Sequence, residues 1–244
     1  MQGSCCGGLR VTISILAFDE KSGRLGGAAA TGSLCVGGWV LRGHAESGLS
    51  ASQGSAPSTL WGEGVLARMK EGASARDAVR AMTDPDTGRA ERQLAALDLN
   101  RGTAHFTGDN SVPHASAVTA PGVVVAGNML TGPAVLQAAL DAFLTSPLPF
   151  AERLMAALGA SAKEGGDVRG YQSAALLIVG RDIPPLTLRI DHAADPLGAL
   201  ADLHARATAE PYHGWLRVVP VTDDPFRAPT EDDKRLFDSA SIPR

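Results

Sequence analysis

Thr12 opens an alternating run, Thr-Ile-Ser-Ile-Leu-Ala-Phe, that ends at Phe18 and has the period of a buried strand. A threonine hydroxyl is a poor nucleophile. When threonine is the first residue of a chain, however, its own α-amine, with a reference pKa of about 7.7–8.0, takes the proton at neutral pH. One residue then supplies both nucleophile and base, whereas an internal Thr12 has its nitrogen locked in an amide. Here MQGSCCGGLR and Val11 precede it. Other chemistry finds less support. His44, His105, His114, His192, His204 and His213 lack a metal-site spacing such as His-x-x-x-His. The glycine-rich stretches GGLR, LGGAAATG and EGGDVRG lack the Gly-Lys-Ser/Thr ending or the strand-to-helix setting of a phosphate loop. Cys5 and Cys6 precede any strand and have no scaffold to position them as nucleophiles. No metal and no cofactor is expected.

The elements that would position Thr12 follow from pattern. A chain of 244 residues, 44% apolar and 20% charged, can bury the core of one large domain. The net charge of -4 and the scattered Lys and Arg exclude a nucleic-acid surface. No apolar stretch approaches the roughly 18 residues needed to span a bilayer, so no membrane partner is expected. Three cysteines, one pair adjacent, suggest neither a disulfide framework nor a zinc site, and with no secretory signal the expected location is the cytoplasm.

Thr12–Phe18 and Leu25–Thr31 flank a turn containing Gly23 and predict a hairpin. Further strands are predicted at Trp39–Arg42 and Gly48–Gln53. A helix follows from Pro57 to a stop at Gly72, and a second opens with the capping box Ser74-Ala-Arg-Asp77. Gln93–Leu99 and Thr103–Thr107 predict another hairpin, and Gly122–Ala126 a buried strand, with Asp109–Thr119 read as a loop. Helices are predicted to start at Pro133 and Pro149, strands at Ser173–Val179 and Leu186–Ile190, and a helix over Pro196–Thr208. Strands alternating with paired helices imply an α+β, four-layer αββα sandwich, two stacked, mainly antiparallel sheets flanked by helices. Residues 12–211 form the domain, residues 1–11 an extension and residues 212–244 a polar tail, with a homodimer expected.

An αββα sandwich whose first strand begins with threonine resembles the N-terminal nucleophile hydrolases. The segments TISILAFDEKSGRLGGAAAT, GNMLTGP (127–133) and EGGDVRGYQSAALLIVG (164–180) resemble the bacterial family catalogued as domain of unknown function 1028, which is assigned to that superfamily. The resemblance spans about Thr12 to Pro211. It implies a fold; the family has no established reaction. In the resembling family the first strand begins directly after the initiator Met, and Val11 is what a GTG start codon would yield. Eighteen Arg against four Lys, with abundant Ala and Gly, fit a high-GC genome where such starts are common. Thr12 is then exposed by removal of the initiator, or by self-cleavage after Val11, or it stays inert behind a real extension.

Similarity to proteasome β subunits carries over further positions. Gly54, with Gln53 beside it, stands where those proteins place an oxyanion-binding amide; the alternative is a turn glycine between strand and helix. Arg42 stands near their third-strand lysine, keeping its charge without shuttling a proton, or is a solvated surface charge. Gly127-Asn128 resembles their Gly-Ser pair, so Asn128 either donates to an oxyanion or holds the Thr12 amine, unless it merely caps a turn. Asp167 resembles their orienting aspartate, with Arg169 as substrate contact or simple ion partner. The resulting expectation is a hydrolase of an amide bond in a small molecule or peptide fragment. Thr12, Arg42, Gly54, Asn128 and Asp167 are its catalytic residues, and Gln53, Gly127 and Arg169 contact substrate. The competing expectation is a non-catalytic domain for ligand binding or subunit assembly.

Overall fold

Strands β1 (Thr12–Asp19) and β2 (Arg24–Thr31) pair antiparallel as the hairpin pattern predicts. Gly23 closes their turn at φ 71°, a left-handed conformation that glycine adopts without a Cβ clash. This is a computed structural model, and it describes residues 11–111, 114–166 and 170–239.

Among the described residues, ten strands build two antiparallel sheets. The wider has the order β10 (Leu186–Ile190), β9 (Ser173–Val179), β2, β1, β8 (Val123–Asn128), β7 (Ser116–Ala120). The narrower has the order β3 (Leu41–His44), β4 (Gly48–Gly54), β5 (Arg92–Leu97), β6 (Thr103–Thr107).

Side-chain alternation along β1 sets the layers. Ile13, Ile15 and Ala17 pack against Leu136 and Phe143 of α4 (Ala134–Thr145) and Leu154 and Leu158 of α5 (Phe150–Lys163). Leu200 of α6 (Pro196–Ala207) joins the same layer. Leu16, on the opposite face, meets Leu49, Ala51, Ala95 and Leu97 of the narrower sheet. Beyond that sheet, Leu94 and Ala96 pack on Trp61 and Val65 of α2 (Thr59–Lys70) and Val79 of α3 (Ala75–Thr83). The result is the αββα sandwich. Both faces of each sheet are apolar and each is covered, which stabilises by about 1.5–3 kcal/mol for every large aliphatic or aromatic side chain fully buried.

Four elements depart from expectation. A helical turn, α1 (Val36–Trp39), takes the start of the strand expected at Trp39, so β3 begins at Leu41. Gly37 and Gly38 make this possible, because the Arg189 side chain lies across them where a Cβ would collide. β7 occupies part of the stretch expected as a loop; its residues are mostly half-buried at a sheet edge, which weakens the apolar signal. In the segment read as a polar tail, α7 (Tyr212–Trp215) and α8 (Glu231–Ser239) are helical. The Thr230 hydroxyl accepts from Asp233 N and so caps α8. Among the described residues no helix is long and apolar enough to cross a membrane.

Candidate active site

The even-numbered residues of β1 face the space between the sheets, and Thr12 is the first of them. It is 9% exposed, and its register partners are Thr31 on β2 and Asn128 on β8. The Thr12 and Thr31 hydroxyl oxygens lie 3.0 Å apart. Thr31 donates to the Val11 carbonyl oxygen at 2.7 Å, which uses its one proton, so Thr12 is the donor in the pair. The Gly32 N–H donates to the same Val11 oxygen at 3.1 Å. The carbonyl of the peptide bond preceding Thr12 therefore carries two donors, one of them wired to the Thr12 hydroxyl.

Beside this chain lies a cluster of buried amides. Gln93 of β5 stands opposite Gln53 of β4 and Thr107 of β6. Its Nε2 donates to the main-chain oxygens of Ser116 and Gly127, both at 3.0 Å, and lies 2.9 Å from Thr107 Oγ1. Main-chain carbonyls only accept, so the Gln93 amide has one orientation. Its Oε1 then receives Gln53 Nε2 at 2.7 Å and Asn128 Nδ2 at 3.2 Å. This turns Gln53 Oε1 and Asn128 Oδ1 away, buried and without a partner among the described residues. Leaving such an acceptor unpaired costs about 1–3 kcal/mol, so natural proteins keep few of them.

Ser14 Oγ, on the same face two residues beyond Thr12, is likewise unpartnered, as are Ser111 Oγ and His114 Nε2. The loop carrying Ser111 and His114 lies against the residues after Asn128: Met129 N donates to Ser111 O and Leu130 N to His114 O. Met129 holds φ 56°, an uncommon value for a side-chain-bearing residue. Orphaned polar atoms from four segments thus collect around the Thr12 end of the sandwich.

Gly54 ends β4 at φ 130°, and a Cβ there would overlap the Glu91 carbonyl oxygen. Gly127 belongs to the helix-facing side of β8, where Leu130 and Leu136 leave no room for a Cβ; its contribution to the cluster is its carbonyl. Arg42 is not brought to this cluster. Alternation along β3 sends its side chain to the helix-covered face, where it bonds Glu63 at 3.3 Å and the carbonyls of Trp39 and Gly38. The cause is alternation from Leu41, whose side chain packs between the sheets. Asp167 and Arg169 lie outside the described residues. Two members were not anticipated. Thr31 could have been found by counting hairpin register back from the Gly23 turn, and Gln93 by the register that sets it opposite Gln53.

The family model for DUF1028, a family of unknown function, matches residues 12–200. The chain belongs to the DUF1028 family. A solved DUF1028 structure, SPO2555 from Silicibacter pomeroyi, is 49% identical and superposes with a TM-score of 0.86, covering 90% of this chain and all of that one. Eukaryotic HslV from Trypanosoma brucei matches at 13% identity and a TM-score of 0.44, over 68% of this chain and 99% of that one, a level that bears on neither fold nor chemistry. No curated protein matches this DUF1028 chain.

Proposed function

We propose that this DUF1028 protein is an N-terminal nucleophile hydrolase, cleaving an amide bond in a small molecule or peptide fragment with Thr12 as nucleophile once residues 1–11 are gone. The observation that carries the reading is the chain from Thr12 Oγ1 through Thr31 Oγ1 to the Val11 carbonyl. Its geometry suits release of Thr12 by self-cleavage. Thr12 Oγ1 attacks the Val11 carbonyl carbon, and negative charge on the oxygen is met by the Thr31 hydroxyl and the Gly32 N–H. The Thr12 nitrogen leaves as an amine with the hydroxyl proton, and water hydrolyses the ester.

In turnover the freed amine takes the hydroxyl proton while Oγ1 attacks the substrate carbonyl. The leaving amine departs protonated, and water then returns Thr12 and a carboxylic acid. Of the two roles open to Asn128, the amide cluster favours the acceptor, because its Nδ2 is engaged by Gln93 and its Oδ1 is free to hold the Thr12 ammonium. The Gly54 amide is the oxyanion donor in this reading, with Gln53 and Gly127 fixing the floor beneath the substrate. Asp167 orients the nucleophile and Arg169 contacts substrate.

A non-catalytic reading is favoured by one observation: Val11 is 4% exposed within the helix-side core, as an intact upstream chain would require. Intact-mass measurement of protein from its native host separates the two. A chain beginning at Thr12, whose Thr12→Ala variant loses amide hydrolysis on the order of a thousandfold or more, supports catalysis. A chain that keeps residue 11 in an active preparation ends it.

A further inference from the structure

The wider sheet has six strands and the narrower four, so the sandwich is uneven at one side. There β3 is an edge strand stacked on β9, and β10 reaches past it. In the β9–β10 register, Arg189 sits opposite Ala175 and Thr187 opposite Leu177. Ala175 and Leu177 belong to the core between the sheets, so Thr187 and Arg189 point the same way, beyond the last strand of the narrower sheet. Beneath them is a hollow of about 390 Å³ lined by Leu41, Gly43, Ala175, Leu177, Thr187 and Arg189 among others. A second hollow of about 240 Å³ shares Gly43 and His44 with the first and continues toward Pro220 and Pro225.

The floor of this groove carries unused backbone. Ser52 N donates to Val40 O, which sets the phase of the β3–β4 ladder: Val40, Arg42 and His44 bond toward β4. The N–H and C=O of Leu41 and Gly43 therefore point outward into the groove, with no partner among the described residues. Arg42 and Arg189 line the first hollow, and neither lining contains an acidic side chain. Each of these arginines is paired with a surface carboxylate, Glu63 and Asp191, 59% and 50% exposed, and pairs so exposed contribute little.

We propose that this groove binds an extended acidic peptide segment of a partner protein, added to β3 as a fifth strand of the narrower sheet. Residues i and i+2 of the peptide pair with Leu41 and Gly43, which stand about 6.6 Å apart in a strand. Acidic side chains at alternate positions lie under Arg189, and the fifth strand brings the narrower sheet closer to the width of the wider one. None of the groove residues belongs to the Thr12 cluster, so the site is independent of hydrolysis.

The test uses the full chain and the acetylated, amidated hexapeptide Glu-Val-Glu-Val-Glu-Val, with its Lys-for-Glu counterpart as control. The acidic peptide slows hydrogen exchange at the Leu41 and Gly43 amides by roughly tenfold or more, and the lysine peptide does not. N-methylation of alternate residues abolishes binding in one phase and leaves it in the other. Arg189→Glu, at an exposed position, weakens binding by roughly tenfold while the circular dichroism spectrum of the fold is retained. Absence of protection at millimolar peptide, equal binding of the lysine peptide, or indifference to methylation phase would each overturn the proposal. So would a peptide-free protein that sediments as a dimer with both amides already protected, since the groove would then belong to a second copy.

Discussion

Thr12 and Thr31 face each other across the β1–β2 ladder with their hydroxyl oxygens 3.0 Å apart, and the proton between them comes from Thr12 because that of Thr31 is committed to Val11. Thr31→Val removes the acceptor of one bond and the donor of the next. It is expected to cost about 1–3 kcal/mol in urea unfolding and to reduce the fraction of chains that begin at Thr12 by mass. Thr31→Ser keeps the hydroxyl and restores both. A Val variant that is processed as fully as wild type would separate Thr31 from the release of Thr12.

Gln93 holds five polar groups at once, whereas Gln53 holds one and leaves its own oxygen unpaired. Gln93→Leu strands two main-chain carbonyls and two amide nitrogens and is expected to destabilise by about 3 kcal/mol or more. Gln53→Leu removes one bond together with one orphan and is expected to change stability by less than about 1 kcal/mol. Chemical denaturation of the two variants side by side checks the ranking.

How much of this was legible in the sequence depends on distance along the chain. The β1–β2 hairpin is local, and register counted from Gly23 already sets Thr12 opposite Thr31. The layer order follows from apolar patterning on both faces of Thr12–Phe18 and Ser173–Val179. Arg42 carries no such local signal: it follows Leu41, which packs between the sheets, so alternation turns it to the helix-covered face. Gln93 was passed over because a glutamine among Leu and Ala carries no local signal; its partners Ser116, Gly127 and Asn128 belong to the other sheet.

Gly54→Ala tests the conformation at the end of β4. At φ 130° and against the Glu91 carbonyl, a methyl group is strained. The expected loss is about 1–3 kcal/mol, read as a lowered denaturation midpoint with unchanged slope. A variant as stable as wild type would mean that the β4–β5 contact yields easily.

His204 on α6 is 9% exposed, and burial pushes its imidazole below the ordinary value, opposed by the Glu152 charge. The unfolded chain titrates at about 6.5, so below that pH it binds a proton the folded state resists. The contribution of neutral His204 is complete above pH 6.5 and is lost as pH falls toward the folded value, at up to about 1.4 kcal/mol per pH unit. His204→Leu should flatten stability against pH across this window. An identical slope in wild type and variant would assign the acid sensitivity to other groups.

Gln53, Gln93 and Asn128 hold their arrangement without a formal charge. Carboxamides neither gain nor lose protons across the physiological range, so the donor and acceptor pattern beneath Thr12 is the same in mild acid as in mild base. Any bell or step in a rate profile must then originate in the liberated terminus or in groups outside this trio, and salt should leave the trio untouched.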